Sequence, residues 1–117
     1  MSLGLIIVPA QADKGKLLPG TIIIDVSYQA ISCECAQWLE NRIICDTCVK
    51  EYIFLEPADE HLINADKLWN GNNIPLTVKL TGQYYSGIGF PRNYKANKGV
   101  PDPARVFRYT QIEVISK

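Results

Sequence analysis

The sequence predicts a mainly β domain with one short α-helix, and three observations predict it. From Thr21 to Ile31 apolar and polar residues alternate, with Ile22, Ile24, Val26 and Tyr28 on one face and Asp25, Ser27 and Gln29 on the other. The same period of two returns after Pro75, where Leu76, Val78 and Leu80 interleave with Thr77, Lys79 and Thr81. β-Branched residues at that period are the mark of a half-buried strand. A helical spacing, by contrast, occurs only once, at about residues 58–70.

Each element follows in order. Lys14-Gly15-Lys16 and Pro19-Gly20 form a turn. The alternating stretch after Thr21 is the first strand of the domain. Cys35 to Leu39 supplies a second, closed by a turn at Glu40-Asn41-Arg42, and Ile43-Ile44 and Tyr52-Ile53-Phe54-Leu55 give further strand material. Pro57-Ala58-Asp59-Glu60 then puts a proline and acidic side chains where a helix starts, and Leu62, Ala65, Leu68 and Trp69 make its apolar face. Asn70-Gly71 ends it. Residues 86–104 read as a long loop, opening with a Gly87-x-Gly89 turn. Val106 to Ile115 is a last strand whose apolar phase slips midway, the signature of a bulge. A barrel of five or six strands with a helix between the third and fourth has this order, which resembles the OB fold.

The 117 residues fit a single domain over residues 21–117, preceded by an N-terminal segment at 1–20. A hydrophobic fraction of 47% with 21% charged residues excludes disorder, collagen-like repeats and a coiled coil. No stretch reaches the roughly 18 apolar residues that span a bilayer. The N-terminal segment has two readings. Leu5 to Val8 with Ala10-Gln11-Ala12 is either the remnant of an export signal with a small-x-small cleavage site, or a native first strand.

Four cysteines fall close together as Cys33-Glu34-Cys35 and Cys45-Asp46-Thr47-Cys48. A hairpin across residues 36–44 would gather their sulfurs. They could then hold zinc, for which Cys45-x-x-Cys48 has knuckle spacing, or copper(I), which favours soft ligands. They could equally form two disulfides, such as Cys33 with Cys48 and Cys35 with Cys45, or stay as free thiols. A thioredoxin-like role lacks the surrounding βαβ pattern.

Cys33-Glu34-Cys35-Ala36-Gln37-Trp38 and Glu51-Tyr52-Ile53-Phe54-Leu55-Glu56-Pro57-Ala58 resemble a family of small, uncharacterised exported bacterial proteins. Leu80-Thr81-Gly82-Gln83-Tyr84-Tyr85 and Arg105-Val106-Phe107-Arg108-Tyr109 are similar to the same family. The resemblance spans residues 20–115. It implies one domain and a location outside the bacterial cytoplasm, periplasmic or anchored on the membrane exterior, against a cytoplasmic alternative. It implies no activity, and Cys45 and Cys48 fall outside its pattern.

No catalytic constellation emerges, so the chain reads as a non-enzyme. The one histidine, His61, sits on the polar side of the expected helix, and Asp59-Glu60 is explained by the helix dipole. Gly87-x-Gly89 lacks the third glycine of a nucleotide fingerprint.

Twelve basic side chains balance twelve acidic ones, which argues against a duplex-DNA binder. The balance is uneven along the chain: residues 1–76 carry a net −5 and residues 77–117 a net +5. The basic part also holds Tyr84, Tyr85, Phe90, Arg92, Arg105 and Arg108, a candidate binding face for an anionic oligomer or a protein partner. Two further readings stand beside it. Half of the aromatics fill the barrel while the cations are solvated edge protection, or the acidic part of one copy meets the basic part of another in a homo-oligomer.

Overall fold

The structure is a computed structural model, described here for residues 14–31, 34–41, 51–69, 71, 75–92, 94 and 101–116. Five strands form it: β1 (Ile22–Tyr28), β2 (Trp38–Glu40), β3 (Tyr52–Pro57), β4 (Thr77–Gly89) and β5 (Ala104–Ser116). They close into a barrel in the order β1-β2-β3-β5-β4. β3 and β5 run parallel, while every other neighbouring pair is antiparallel. The mainly β class and the OB-like ring expected from the element order are both present. The expected strands at Leu5–Val8 and Ile43–Ile44 lie outside the described residues.

Alternation fills the interior. Ile24 and Val26 of β1, Trp38 of β2, Ile53 and Leu55 of β3, Val78, Leu80 and Tyr84 of β4, and Phe107 and Tyr109 of β5 form one buried cluster. β5 changes phase where the sequence slips: Gly82 faces Tyr109 and Thr81 faces Gln111, leaving Thr110 as the extra residue. Gly82 permits the close approach, because a Cβ there would strike the Arg108 carbonyl oxygen and lie 2.8 Å from the Tyr109 Cα.

Two elements differ from the sequence expectation. Where a helix is expected at 58–70, the described residues 58–69 hold no α-helix, only a 3₁₀ turn at Ala65–Lys67. Side chains take the backbone groups a helix would use. The Asp59 carboxylate accepts from the His61 N–H at 2.8 Å, and the Asn64 side-chain oxygen accepts from the Asp66 N–H at 3.0 Å. The Tyr109 hydroxyl accepts from the Ala65 N–H at 3.0 Å and donates to the Ile63 carbonyl at 2.5 Å. The apolar spacing still serves burial, since Ala65 is in the core and Leu62, Leu68 and Trp69 pack against it. The second difference is Gly87-x-Gly89, which is strand rather than turn. Gly87 donates to the Lys14 carbonyl at 2.8 Å, and Ile88 and Gly89 pair with Arg105 and Ala104. Partners on both sides override the glycines.

Candidate anion-binding face

β3 is buried on both faces. Ile53 and Leu55 point into the barrel, whereas Phe54 joins Ala36 and Val106 in a second cluster on the outside. Tyr52, Tyr85, Phe90, Tyr94 and Ala104 pack against that outer cluster. The segment after β4 folds back across it. The Phe90 and Tyr94 rings stack at 5.4 Å and 16°, and lie 5.6 and 5.1 Å from Phe54.

Beside these rings sits Glu56, 1% exposed. Its Oε2 accepts from the Lys14 ammonium at 2.9 Å and from the Arg92 backbone N–H at 2.6 Å, and its Oε1 accepts from the Tyr85 hydroxyl at 2.5 Å. Burial pushes the Glu56 carboxyl up. The hydrogen bonds from Tyr85, Lys14 and the Arg92 N–H, with the Lys14 charge, outweigh it and hold the group below its ordinary value. The Tyr85 hydroxyl, buried and facing that carboxylate, is pushed up to about 12. Lys14 also donates to the Phe90 carbonyl at 2.7 Å and lies 4.7 Å from the centre of the Tyr85 ring. One lysine thus ties the N-terminal segment to β3 and to the end of β4.

Two guanidiniums converge next to this knot. Arg92 donates to the Pro57 carbonyl at 3.0 Å and Arg108 to the Ala58 carbonyl at 3.4 Å. Arg108 stands level with Glu56 across the parallel β3–β5 pair. The charges of Arg108 and Arg92 both reach the Tyr85 hydroxyl and counter its upward shift. Arg92 and Arg108 thus lie beside the Tyr85–Glu56 pair, and among the described residues Lys14 forms the ion pair with the carboxylate.

The six residues singled out from the sequence divide by strand alternation. Tyr85, Phe90, Arg92 and Arg108 come together on the outer face. Tyr84 turns inward instead, 7% exposed, with its ring 5.0 Å from Phe107 and its hydroxyl donating to Glu40 at 2.9 Å. Burial and the Glu40 carboxylate push that hydroxyl up. Arg105 follows Tyr84, its guanidinium 3.9 Å from the centre of that ring. Tyr84 and Arg105 form a separate pair from the four on the outside. Lys14 and Glu56, the centre of the outer face, carried one sequence signal: Glu56 is a lone charge continuing an apolar strand.

Cys35 is disulfide-bonded, and a sulfur in a disulfide has no thiolate to offer zinc or copper. Cys33, Cys45 and Cys48, with the pairings and the metal cage considered for them, lie outside the described residues. Among the described residues no three His, Cys, Asp or Glu side chains are grouped to hold a metal ion. His61 is exposed. No helix among the described residues is long and apolar enough to cross a membrane. No family model, curated protein or solved structure matches the chain.

Proposed function

We propose that the protein is a small, exported, non-enzymatic module that binds an anionic ligand on the outer face of the β3–β5 pair. Arg92 and Arg108 are the recognising groups. The observation that carries the reading is their convergence on the consecutive carbonyls of Pro57 and Ala58. Each guanidinium has five N–H donors in a planar fork and, among the described residues, gives one of them to a carbonyl, which leaves donors to offer an oxyanion. Glu56 does not neutralise them, because Lys14, Tyr85 and the Arg92 N–H occupy its oxygens. Export is supported by the resemblance to exported bacterial proteins and by the disulfide at Cys35, since disulfides persist in oxidising compartments.

Calorimetric titration of inorganic tripolyphosphate tests the face. Wild type binds, and the Arg92→Ala, Arg108→Ala double variant binds about tenfold or more weakly, as expected for losing charge-assisted hydrogen bonds. Equal affinity in the two proteins, or no binding to wild type, removes the assignment.

A further inference from the structure

We infer that the last part of β5 is an interaction edge for a second copy of this chain, which adds its own β5 antiparallel across a twofold axis at Glu113. The inference stands apart from the anion-binding reading and does not depend on it.

β5 outruns its neighbour on one side. β3 leaves it at Pro57, opposite Tyr109, and the last bond of that seam runs from the Ala58 N–H to the Tyr109 carbonyl at 2.8 Å. Beyond it β5 continues through Thr110–Ser116 with β4 on the other side.

The pairing geometry tells which backbone groups the uncovered side presents. The Tyr28 N–H donates to the Leu76 carbonyl at 2.9 Å, and bonded pairs alternate along an antiparallel ladder. Val78 and Leu80 therefore turn their N–H and C=O toward β1, opposite Val26 and Ile24. Lys79 and Thr81 turn theirs toward β5, where Glu113 and Gln111 meet them. Ile112 and Val114 then point their backbone groups away from β4. Among the described residues no backbone or side-chain group pairs with them there. The stretch is open, with Gln111 and Glu113 exposed, Val114 39% exposed and Ile115 43%. It also carries no proline or lysine, the residues that commonly keep a bare edge from pairing.

A second β5 fits this edge. With the axis at Glu113, Ile112 of each copy lies opposite Val114 of the other, so both uncovered residues meet their like and bond reciprocally on either side of the axis. The same pairing packs the exposed Val114 side chain against Ile112 of the second copy. It also sets the two Glu113 side chains opposite each other, and like charges in that position weaken a sheet. Lys79 stands beside each Glu113 on β4, with Asp25 next in the row on β1, so a cation flanks the repelling pair. Glu113 thus limits the strength of the contact without closing the edge.

Sedimentation equilibrium on the full oxidised chain tests this, with circular dichroism reporting the barrel. Wild type should dimerise reversibly. Glu113→Gln keeps the shape and removes the repulsion, and should tighten the dimer about threefold or more. Val114→Pro deletes a donor that the barrel does not use, and should weaken the dimer about tenfold or more. A wild type that stays monomeric up to about 1 mM overturns the proposal. A dimer that Val114→Pro leaves intact lies on another surface, and one that Glu113→Gln fails to tighten is not centred on this residue; either result overturns it as well. If Val114→Pro disturbs the barrel, Val114→Lys takes its place, and an unweakened dimer there rules out the edge.

Discussion

The inner and outer faces of β3 are both buried, yet they are built by different means. Inside, Ile53 and Leu55 meet apolar residues of the other strands, placed there by alternation and ring closure. Outside, Phe54 and Glu56 meet Val106 of β5 and Tyr85 of β4, and are covered further by pieces that are not barrel strands: Lys14 from the N-terminal segment, Phe90, Arg92 and Tyr94 from the β4–β5 connection, and Ala36 from the β1–β2 connection. The inner face depends on shape and apolar area. The outer one depends on a few directional bonds around one carboxylate, so it is the face that charge and ligands can act upon.

Overfilling the barrel wall should have the largest effect. Gly82→Ala forces a methyl against the Arg108 carbonyl and the Tyr109 backbone, and should cost roughly 3 kcal/mol, the upper end for overpacking. Urea unfolding measures it, and a loss below about 1 kcal/mol would mean that the wall yields and the inner face is not the rigid one.

Removing the outer carboxylate comes next. Glu56→Ala should cost about 2 kcal/mol, less than a fully buried broken pair because the Lys14 side chain keeps 20% of its surface exposed. The pH dependence carries a sign. The Glu56 carboxyl is held low when folded, so the native state binds fewer protons than the unfolded chain in acid. Its contribution is complete above the ordinary carboxylate range and is lost as pH falls through the depressed value. Glu56→Gln should therefore lose less stability than wild type between neutral and strongly acidic pH. Parallel acid limbs in the two proteins would deny the outer face its electrostatic character.

The smallest effect lies where the inner strand hands over to the outer cover. Ala30 follows β1 with φ of +50°, a left-handed conformation that costs a side-chain-bearing residue. Ala30→Gly should gain about 0.5 kcal/mol, offset in part by the freer unfolded chain. A loss in thermal unfolding would show the Ala30 methyl to be packed rather than strained.

The same contrast decides what the sequence makes legible. Strand positions, the bulge opposite Gly82 and the inward residues of β1, β4 and β5 follow from local period and phase. The unbroken run Tyr52 to Leu55 also speaks, since a strand buried on both faces shows no alternation. The helix expected at 58–70 fails because Asp59, Asn64 and the distant Tyr109 hydroxyl claim its backbone groups, and only the two asparagine-type side chains are local. The candidate face is half legible. Tyr84 and Tyr85 read together as one basic-aromatic group, although adjacent strand residues must face opposite ways. Lys14 carries no signal and Glu56 only its lone charge at the end of an apolar run, because nothing near either residue announces the other across forty-two positions.

The parallel β3–β5 pairing has a consequence for the order of events in folding. Phe54 meets Val106 and Glu56 meets Arg108 only after nearly half the chain has been looped back, an entropic cost incurred before any contact on that seam offsets it. The inner partners of Leu55 and the outer partners of Phe54 flank the same seam. Core and recognition face thus await one loop closure, and a change that delays the barrel delays the binding surface with it.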